Sequence, residues 1–199
     1  MTLTAQHALE LVTPAVANPI LLSEAKAQLR VEHNDDDVII ARLINVATAY
    51  VDATGALGAC MMTQTWSQWL GQNPGTVTLL LGPVQSVSAV KYYDVNNALQ
   101  TDTLSNYNVL GTKTRKIVAP KNGFNWPTTF QRDDAIKIEY VCGYGGTSHS
   151  VPQNVRHALM MLVAHHYENR ELELIGTISK TLPYGFEDML GQSRGHWYG

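Results

Sequence analysis

The spacing of apolar positions predicts three helices, at residues 23–30, 36–54 and 152–170. Ser23 is a suitable N-cap for the first helix, and Asp35 to Asp37 supply an N-cap and an acidic first turn for the second. Within the second helix, apolar residues recur at helical spacing at Ile39, Leu43, Val46, Ala47 and Tyr50. The third helix is apolar almost all round, so we expect its own fold or neighbouring molecules to enclose it.

Between residues 63 and 145 the pattern changes to short runs rich in Thr, Val, Trp and Tyr, broken by Gly, Pro and Asn. The candidate strands are residues 63–70, 76–81, 84–93, 107–110, 116–118 and 135–141. In the last of these, apolar and charged residues alternate, which is typical of an antiparallel strand with one exposed face. The predicted fold class is therefore α+β: mainly an α-helical bundle with an inserted small antiparallel β module.

The predicted organisation is a single domain of residues 1–199, with the β module at 63–145 and a short helix and tail at 183–199. Charged residues make up 16% of the chain, against about 25% in typical globular proteins. This low fraction suits a subunit that hides surface in an assembly. Met1–Pro19 lacks the features of a secretory signal, which predicts synthesis in the cytoplasm, and the apolar runs are too short to predict a membrane span.

One central segment is basic although the net charge of the chain is -3. Residues 103–132 contain no acid and five bases, which are Lys113, Arg115, Lys116, Lys121 and Arg132. Phe124, Trp126 and Phe130 are interleaved with these bases, as in surfaces that bind single-stranded nucleic acid. The segment could instead contact an acidic protein surface, or form a solvated loop of the β module.

A metal-dependent hydrolase is the enzyme alternative. His165 and Glu168 lie three residues apart on one face of the third helix, and His157 lies two turns earlier. The sequence has no His-Glu-x-x-His motif, no Gly-x-Ser-x-Gly elbow and no phosphate-binding glycine fingerprint, and neither Cys60 nor Cys142 belongs to a metal-binding pair. We therefore expect no enzyme, no catalytic residue, no metal and no cofactor.

Several short strings occur in a fixed order along the chain. They are residues 19–31 (PILLSEAKAQLRV), the Asp-rich start of the second helix, Thr54-Gly55, Gln64-Thr65-Trp66, Trp126-Pro127, Gly143-Tyr144-Gly145, Val151-Pro152, residues 165–171 and residues 182–186 (LPYGF). In this order they resemble the head-to-tail connector proteins, also called adaptor or head completion proteins, of long-tailed phages, prophages and gene transfer agents. The resemblance covers about residues 19 to 190.

Two positions depart from the family pattern. The family often has an Arg shortly after Thr-Gly, where this chain has Ala56 and Leu57, and often a Trp at the position of His166. Both departures concern packing or partner choice rather than chemistry.

The resemblance implies a structural protein of the virion, located at the head-to-tail junction. Its subunits would form a ring, twelve-fold in the virion, that docks beneath the portal protein and extends the DNA channel. The ring would also present a platform to the next connector or tail protein, and double-stranded DNA would pass through it without sequence-specific contacts. No membrane is implied. The implied fold, a helical bundle with an inserted β module, agrees with the element order read from the pattern.

The C-terminal segment is the expected portal contact. It is punctuated by glycine and carries Tyr184, Phe186, Trp197 and Tyr198 as aromatic anchors, with Arg194 as a polar contact. The alternative from another class is a nucleic-acid-binding module that uses the basic segment from Lys113 to Arg132.

Overall fold

The structure is a computed structural model and describes residues 8–169 and 185–194. Its α-helices are α1 (Leu22–Leu29), α2 (Asp37–Val51), α3 (Gln153–Glu168) and α4 (Phe186–Gly191). Its strands are β1 (Ala8–Thr13), β2 (Gln64–Leu70), β3 (Val77–Thr78), β4 (Val84–Tyr93), β5 (Leu99–Asp102), β6 (Tyr107–Gly111), β7 (Lys116–Pro120) and β8 (Ile136–Cys142). Two single-turn 3-10 helices span Leu104–Asn106 and Ser148–Ser150.

The chain divides into two compact units. The β unit consists of Met1–Pro14 and Thr63–Gly143, and the helical unit consists of Ala15–Met62 and Tyr144–Gly199. Each unit is thus built from two separate stretches of the sequence. The N-terminal strand β1 belongs to the β unit although the first two helices lie between it and the other strands.

The prediction that the protein is mainly an α-helical bundle is wrong. The described residues are 30% helical and 28% strand, and the strands form two antiparallel sheets, so the protein is not mainly a helical bundle. The sequence pattern missed β1 and β5. Both are edge strands with mostly exposed side chains, and they lack the alternation of buried and exposed positions that marks a strand in sequence. Their strand conformation depends on pairing with β2 and β4, which a local pattern does not contain.

The larger sheet of the β unit has the order β1-β2-β8-β4-β5, with every neighbouring pair antiparallel. In the central strand β8, Ile136, Ile138 and Tyr140 are fully buried whereas Lys137 and Glu139 are partly exposed. This burial confirms the alternation predicted for that strand. The smaller sheet has the order β3-β7-β6.

The core of the helical unit forms around α3. This helix packs against α1, α2 and α4, and every residue from Asn154 to Tyr167 is buried or partly buried. The unit itself therefore supplies the enclosure predicted for this helix.

The buried face of α2 differs from the predicted stripe. Its buried residues are Ile40, Ile44, Ala47 and Val51. The exposed side carries Val38, Val46 and Tyr50, which are 81%, 49% and 48% exposed. Because α2 has apolar residues on both sides, its sequence pattern does not decide which side faces the core. We refer to Val38, Val46 and Tyr50 as the α2 apolar stripe.

The starts of α1 and α2 use different contacts from those predicted. Helix α1 begins at Leu22, before Ser23, and the Leu21 N–H donates to the Glu24 carboxylate at 2.9 Å. At the start of α2, Asp36 accepts a hydrogen bond from the Tyr167 hydroxyl, and Asp37 pairs with Lys26 at 2.6 Å. The acidic side chains thus join α2 to α3 and α1 as well as favouring the helix start.

Candidate interaction surfaces

The basic segment is built around the hairpin of β6 and β7, which pair from Tyr107 with Pro120 to Gly111 with Lys116. Gly111 has a φ of 102°, and a Cβ there would lie 2.3 Å from the carbonyl oxygen of Arg115, so the turn requires glycine. The Val84 N–H donates to the Lys113 carbonyl at 2.7 Å, which joins the turn to the start of β4. We call residues 112–116 the hairpin tip.

The hairpin tip gathers three of the five predicted cationic residues. Lys113 and Arg115 are exposed and Lys116 is partly exposed. Among the ion pairs of the described residues, none involves these three side chains. The ammonium group of Lys116 lies 3.4 Å from the backbone carbonyl of Gln85, a neutral group. The tip therefore presents positive charge that acids in the described chain do not neutralise.

The other two cationic residues lie elsewhere. Lys121 follows the far end of β7, five residues beyond Lys116, or about 17 Å along a strand. Arg132 makes two hydrogen bonds to the carboxylate of Asp134, at 2.5 and 2.6 Å, and its guanidinium lies 3.6 Å from the centre of the Tyr93 ring. The hydrogen bonds with Asp134 raise the pKa of Arg132 and lower that of Asp134. Arg132 is therefore a neutralised charge and not part of the tip.

The aromatic residues of the basic segment do not surround its cations. Trp126 is buried, donates from its Nε1 to the Gly75 carbonyl at 2.7 Å, and packs with its ring 5.0 Å from that of Tyr107. Phe124 is 51% exposed, and its N–H bonds to the Lys121 carbonyl, at the end of the hairpin away from the tip. The structure thus places Trp126 and Phe124 away from the three cations of the hairpin tip.

A charge ladder crosses the larger sheet and was missed from the sequence. Glu10 lies 3.1 Å from Lys137, Lys137 lies 3.4 Å from Glu139, and Glu139 lies 2.8 Å from Lys91. Hydrogen bonds from Trp69 and Lys137 lower the pKa of Glu10. The alternating charges of β8 were visible in the sequence, but the neighbours supplied by β1 and β4 depend on sheet register.

The described part of the C-terminal segment belongs to the packing of the helical unit. Phe186 is fully buried in the core, with its ring 6.3 Å from that of Tyr50. Arg194 donates to the Ala56 carbonyl at 2.8 Å and to the Glu187 carboxylate at 2.5 Å. These contacts hold α4 in place. Tyr184, Trp197 and Tyr198 lie outside the described residues.

The residues considered for a metal site do not form one. Across residues 8–169 and 185–194, no group of three or more His, Cys, Asp or Glu side chains is placed to hold a metal ion. The His165 ring lies 5.8 Å from the His166 ring, and burial and the neighbouring His165 lower the pKa of His166. This geometry gives no support to the hydrolase alternative. In the same described ranges, no helix is both long and apolar enough to cross a membrane.

The sequence of the helical unit and the inserted strands also matches a known family. The family model described as head completion protein matches residues 20–179. The chain belongs to the head completion protein family. This match confirms the resemblance to head-to-tail connector proteins, and it gives the chain the structural role of that family.

Solved structures of gene transfer agent particles contain chains of the same fold. A chain from the neck of an empty particle, computed with C6 symmetry, has a TM-score of 0.75 and 18% identity, and the match covers 94% of this chain and 95% of that one. A chain from the virion of a native particle has a TM-score of 0.74 and 18% identity, and the match covers 94% of each chain. A chain from the neck of a native particle, computed with C12 symmetry, has a TM-score of 0.66 and 16% identity, and the match again covers 94% of each chain. No curated protein sequence matches the chain significantly.

Proposed function

We propose that the protein is a ring-forming connector subunit of the virion that docks beneath the portal at the head-to-tail junction. The ring extends the DNA channel and presents a platform to the next connector or tail protein. The match of the head completion family over residues 20–179 carries this proposal. The cyclic symmetries named for the similar neck structures support the ring. Under this proposal the protein is not an enzyme, because its function is the ordered assembly of surfaces.

The α2 apolar stripe supports assembly. A subunit of a closed ring presents two different surfaces that fit each other on neighbouring copies. Val38, Val46 and Tyr50 extend over about 18 Å of helix and leave apolar side chains in water. We assign this stripe to the contact with a neighbouring copy, where burial would stabilise the ring.

Polar substitutions of the stripe test that assignment. The variant Val38→Ser with Val46→Ser should fold normally but form fewer rings on the portal, because the apolar contact is lost. A matched control is Val95→Ser with Leu99→Ser, which changes two exposed apolar residues of the β unit. Electron microscopy of each variant mixed with portal measures ring occupancy. Equal ring occupancy for the two variants would contradict the assignment.

The portal contact is assigned to the C-terminal segment. Phe186 and Arg194 fix α4 to the helical unit, so the chain beyond Arg194 starts from a defined point. Trp197 and Tyr198, together with Tyr184, are the proposed aromatic anchors on the portal, because large aromatic side chains dominate many interfaces. Phe186 contributes by holding α4, since its ring is already buried.

The segment after Arg194 allows a direct test of the portal contact. Trp197→Ala with Tyr198→Ala leaves every described contact of α4 in place, so we expect a folded protein with at least tenfold weaker portal binding. The control, Phe124→Ala with Phe130→Ala, removes two exposed aromatic side chains of the β unit. Co-purification with portal, followed by a binding titration, measures the difference. Unchanged portal binding by the C-terminal variant would overturn the assignment.

A further inference from the structure

We infer that the hairpin tip binds the phosphate backbone of double-stranded DNA. This inference rests on the proposed function, in which DNA passes through the ring. Lys113, Arg115 and Lys116 bring three positive charges into a stretch of five residues. Residues 103–132 contain no acid, and the ion pairs of the described residues leave these three cations unneutralised. A polyanion would supply the missing negative charge.

The chemistry of the tip matches phosphate contacts. Lysine, arginine and threonine side chains are among the groups that donate hydrogen bonds to DNA phosphates, and the tip is the sequence Thr-Lys-Thr-Arg-Lys. The Thr112 and Thr114 hydroxyls lie 2.9 Å apart, and Thr112 accepts from the Arg115 N–H at 3.2 Å. Together with Gly111, these contacts fix the backbone of the turn before a ligand binds, so binding need not order that backbone.

The structure favours duplex DNA over single-stranded DNA. Binding of single strands commonly uses aromatic rings on which bases stack beside the cations. Here Trp126 is buried, and Phe124 lies at the end of the hairpin away from the tip. The tip can therefore contact the backbone but offers no stacking surface. It also contains no apolar side chain of the kind that anchors protein interfaces, which favours DNA over an acidic protein surface.

The test measures binding of a labelled 30-base-pair duplex to the full chain by fluorescence anisotropy at several salt concentrations. The tip variant carries Lys113→Gln, Arg115→Gln and Lys116→Gln. The matched control carries Arg30→Gln, Arg42→Gln and Lys121→Gln, three exposed cations whose loss changes the net charge equally. Three phosphate contacts predict a loss of affinity of about 40-fold between 50 and 200 mM salt.

We expect the unaltered chain and the control variant to show this salt dependence and the tip variant to lose most of it. Equal binding by the two variants, or no salt-dependent binding at 50 mM salt, would overturn the inference. Tighter binding of a single strand of equal length would also overturn it. If the tip variant instead binds DNA normally but loses a protein partner, the tip is a protein contact and the DNA assignment is wrong.

Portal assembly of the tip variant separates this inference from the proposed function. We expect the tip variant to form rings on portal as the unaltered chain does, because neither the α2 apolar stripe nor the C-terminal segment is changed. Failure of DNA binding with intact portal rings rejects only the DNA contact. DNA binding by the tip in a chain that ignores portal rejects only the connector proposal.

Discussion

The β unit carries two groups of cationic side chains that differ in whether acids lie beside them. Lys91 and Lys137 are 29% and 14% exposed and lie within 3.4 Å of Glu139. Lys113 and Arg115 are exposed on a hairpin turn, and the described ion pairs include neither of them. The sequence alone does not reveal the whole first group, because Lys91 pairs with Glu139 of β8 and Lys137 pairs with Glu10 of β1 as well as with Glu139 on its own strand. Paired cations stabilise the sheet, whereas unpaired cations remain available to a ligand.

The largest effect of removing the acid partner of a cation is expected at Arg156 in the helical unit. Its side chain is 8% exposed, and its guanidinium donates to Glu24 and Gln153 while its Nε has no partner. Replacing Glu24 by Ala leaves a buried positive charge without its counterion, so the free energy of unfolding should fall by about 3 kcal/mol. Urea unfolding at pH 7 measures this change.

Glu32→Ala is the control for that experiment, because Glu32 is exposed and should change stability by less than about 0.5 kcal/mol. A fall of less than about 1 kcal/mol for Glu24→Ala would show that Arg156 does not depend on this ion pair.

The charge ladder should be less sensitive than the Arg156 pair. Glu139 is 15% exposed and bonds both Lys91 and Lys137. Glu139→Gln should lower the free energy of unfolding by about 1 kcal/mol, because the two lysines lose their shared charge partner while Lys137 keeps Glu10. Urea unfolding of this variant and of Asp133→Asn, an exposed control, gives the comparison. Equal stability of the two variants would show that the charge ladder does not contribute to the free energy of unfolding.

Lowering the pH should destabilise the protein by protonating the carboxylates that pair with cations, whereas the hairpin tip contains no carboxylate to protonate. The Leu21 N–H and Arg156 hold the pKa of Glu24 below its ordinary value of 4.5, and Trp69 and Lys137 do the same for Glu10. A carboxylate with a lowered folded pKa contributes stability that is present above its unfolded pKa and is lost as the pH falls through the folded value. These two carboxylates should therefore leave the urea midpoint unchanged from pH 7 to 5 and lower it below about pH 4.5. His166, whose pKa is lowered in the folded protein, should separately lower the midpoint as the pH falls through the ordinary histidine pKa of 6.5. Glu24→Ala should reduce the fall below about pH 4.5. If the urea midpoint of this variant falls there with pH as steeply as that of the unaltered chain, the role assigned to Glu24 is wrong.

The smallest stability effect is expected at the hairpin tip. The variant Lys113→Gln, Arg115→Gln and Lys116→Gln should change the free energy of unfolding by less than about 0.5 kcal/mol, because its cations make no ion pair in the described chain. Thermal unfolding of this variant and of the unaltered chain, at low and high salt, measures the change in stability. Destabilisation as large as that of Glu139→Gln would mean that the tip has an internal role, and the contrast between the two groups would fail.

Sequence reasoning was strongest where a local pattern carries the information. The central strand β8 alternates apolar and charged residues, and α3 is apolar on all sides, so both were predicted with their burial. Edge strand β1 was missed because most of its side chains are exposed and its strand conformation depends on β2, more than fifty residues away. The proportion of strand was underestimated for the same reason.

The candidate surfaces show the same limit. The basic composition of residues 103–132 was evident, but only the fold separates Lys113 and Arg115 at the tip from Arg132, which Asp134 neutralises. Phe186 looked like an available aromatic residue in the sequence, yet it fills the core of the helical unit. Composition predicts which residue types are present, whereas pairing and burial decide which of them a partner can reach.

The most direct test of the connector proposal is native mass spectrometry of the purified chain, alone and mixed with the portal protein encoded beside it, with electron microscopy of any large species. The proposal predicts a complex of the portal with multiple copies of this chain, seen as a ring against one end of the portal. The chain alone can be a monomer, since the portal can act as a template for weak ring contacts. A chain that stays monomeric and does not bind portal would contradict the proposal.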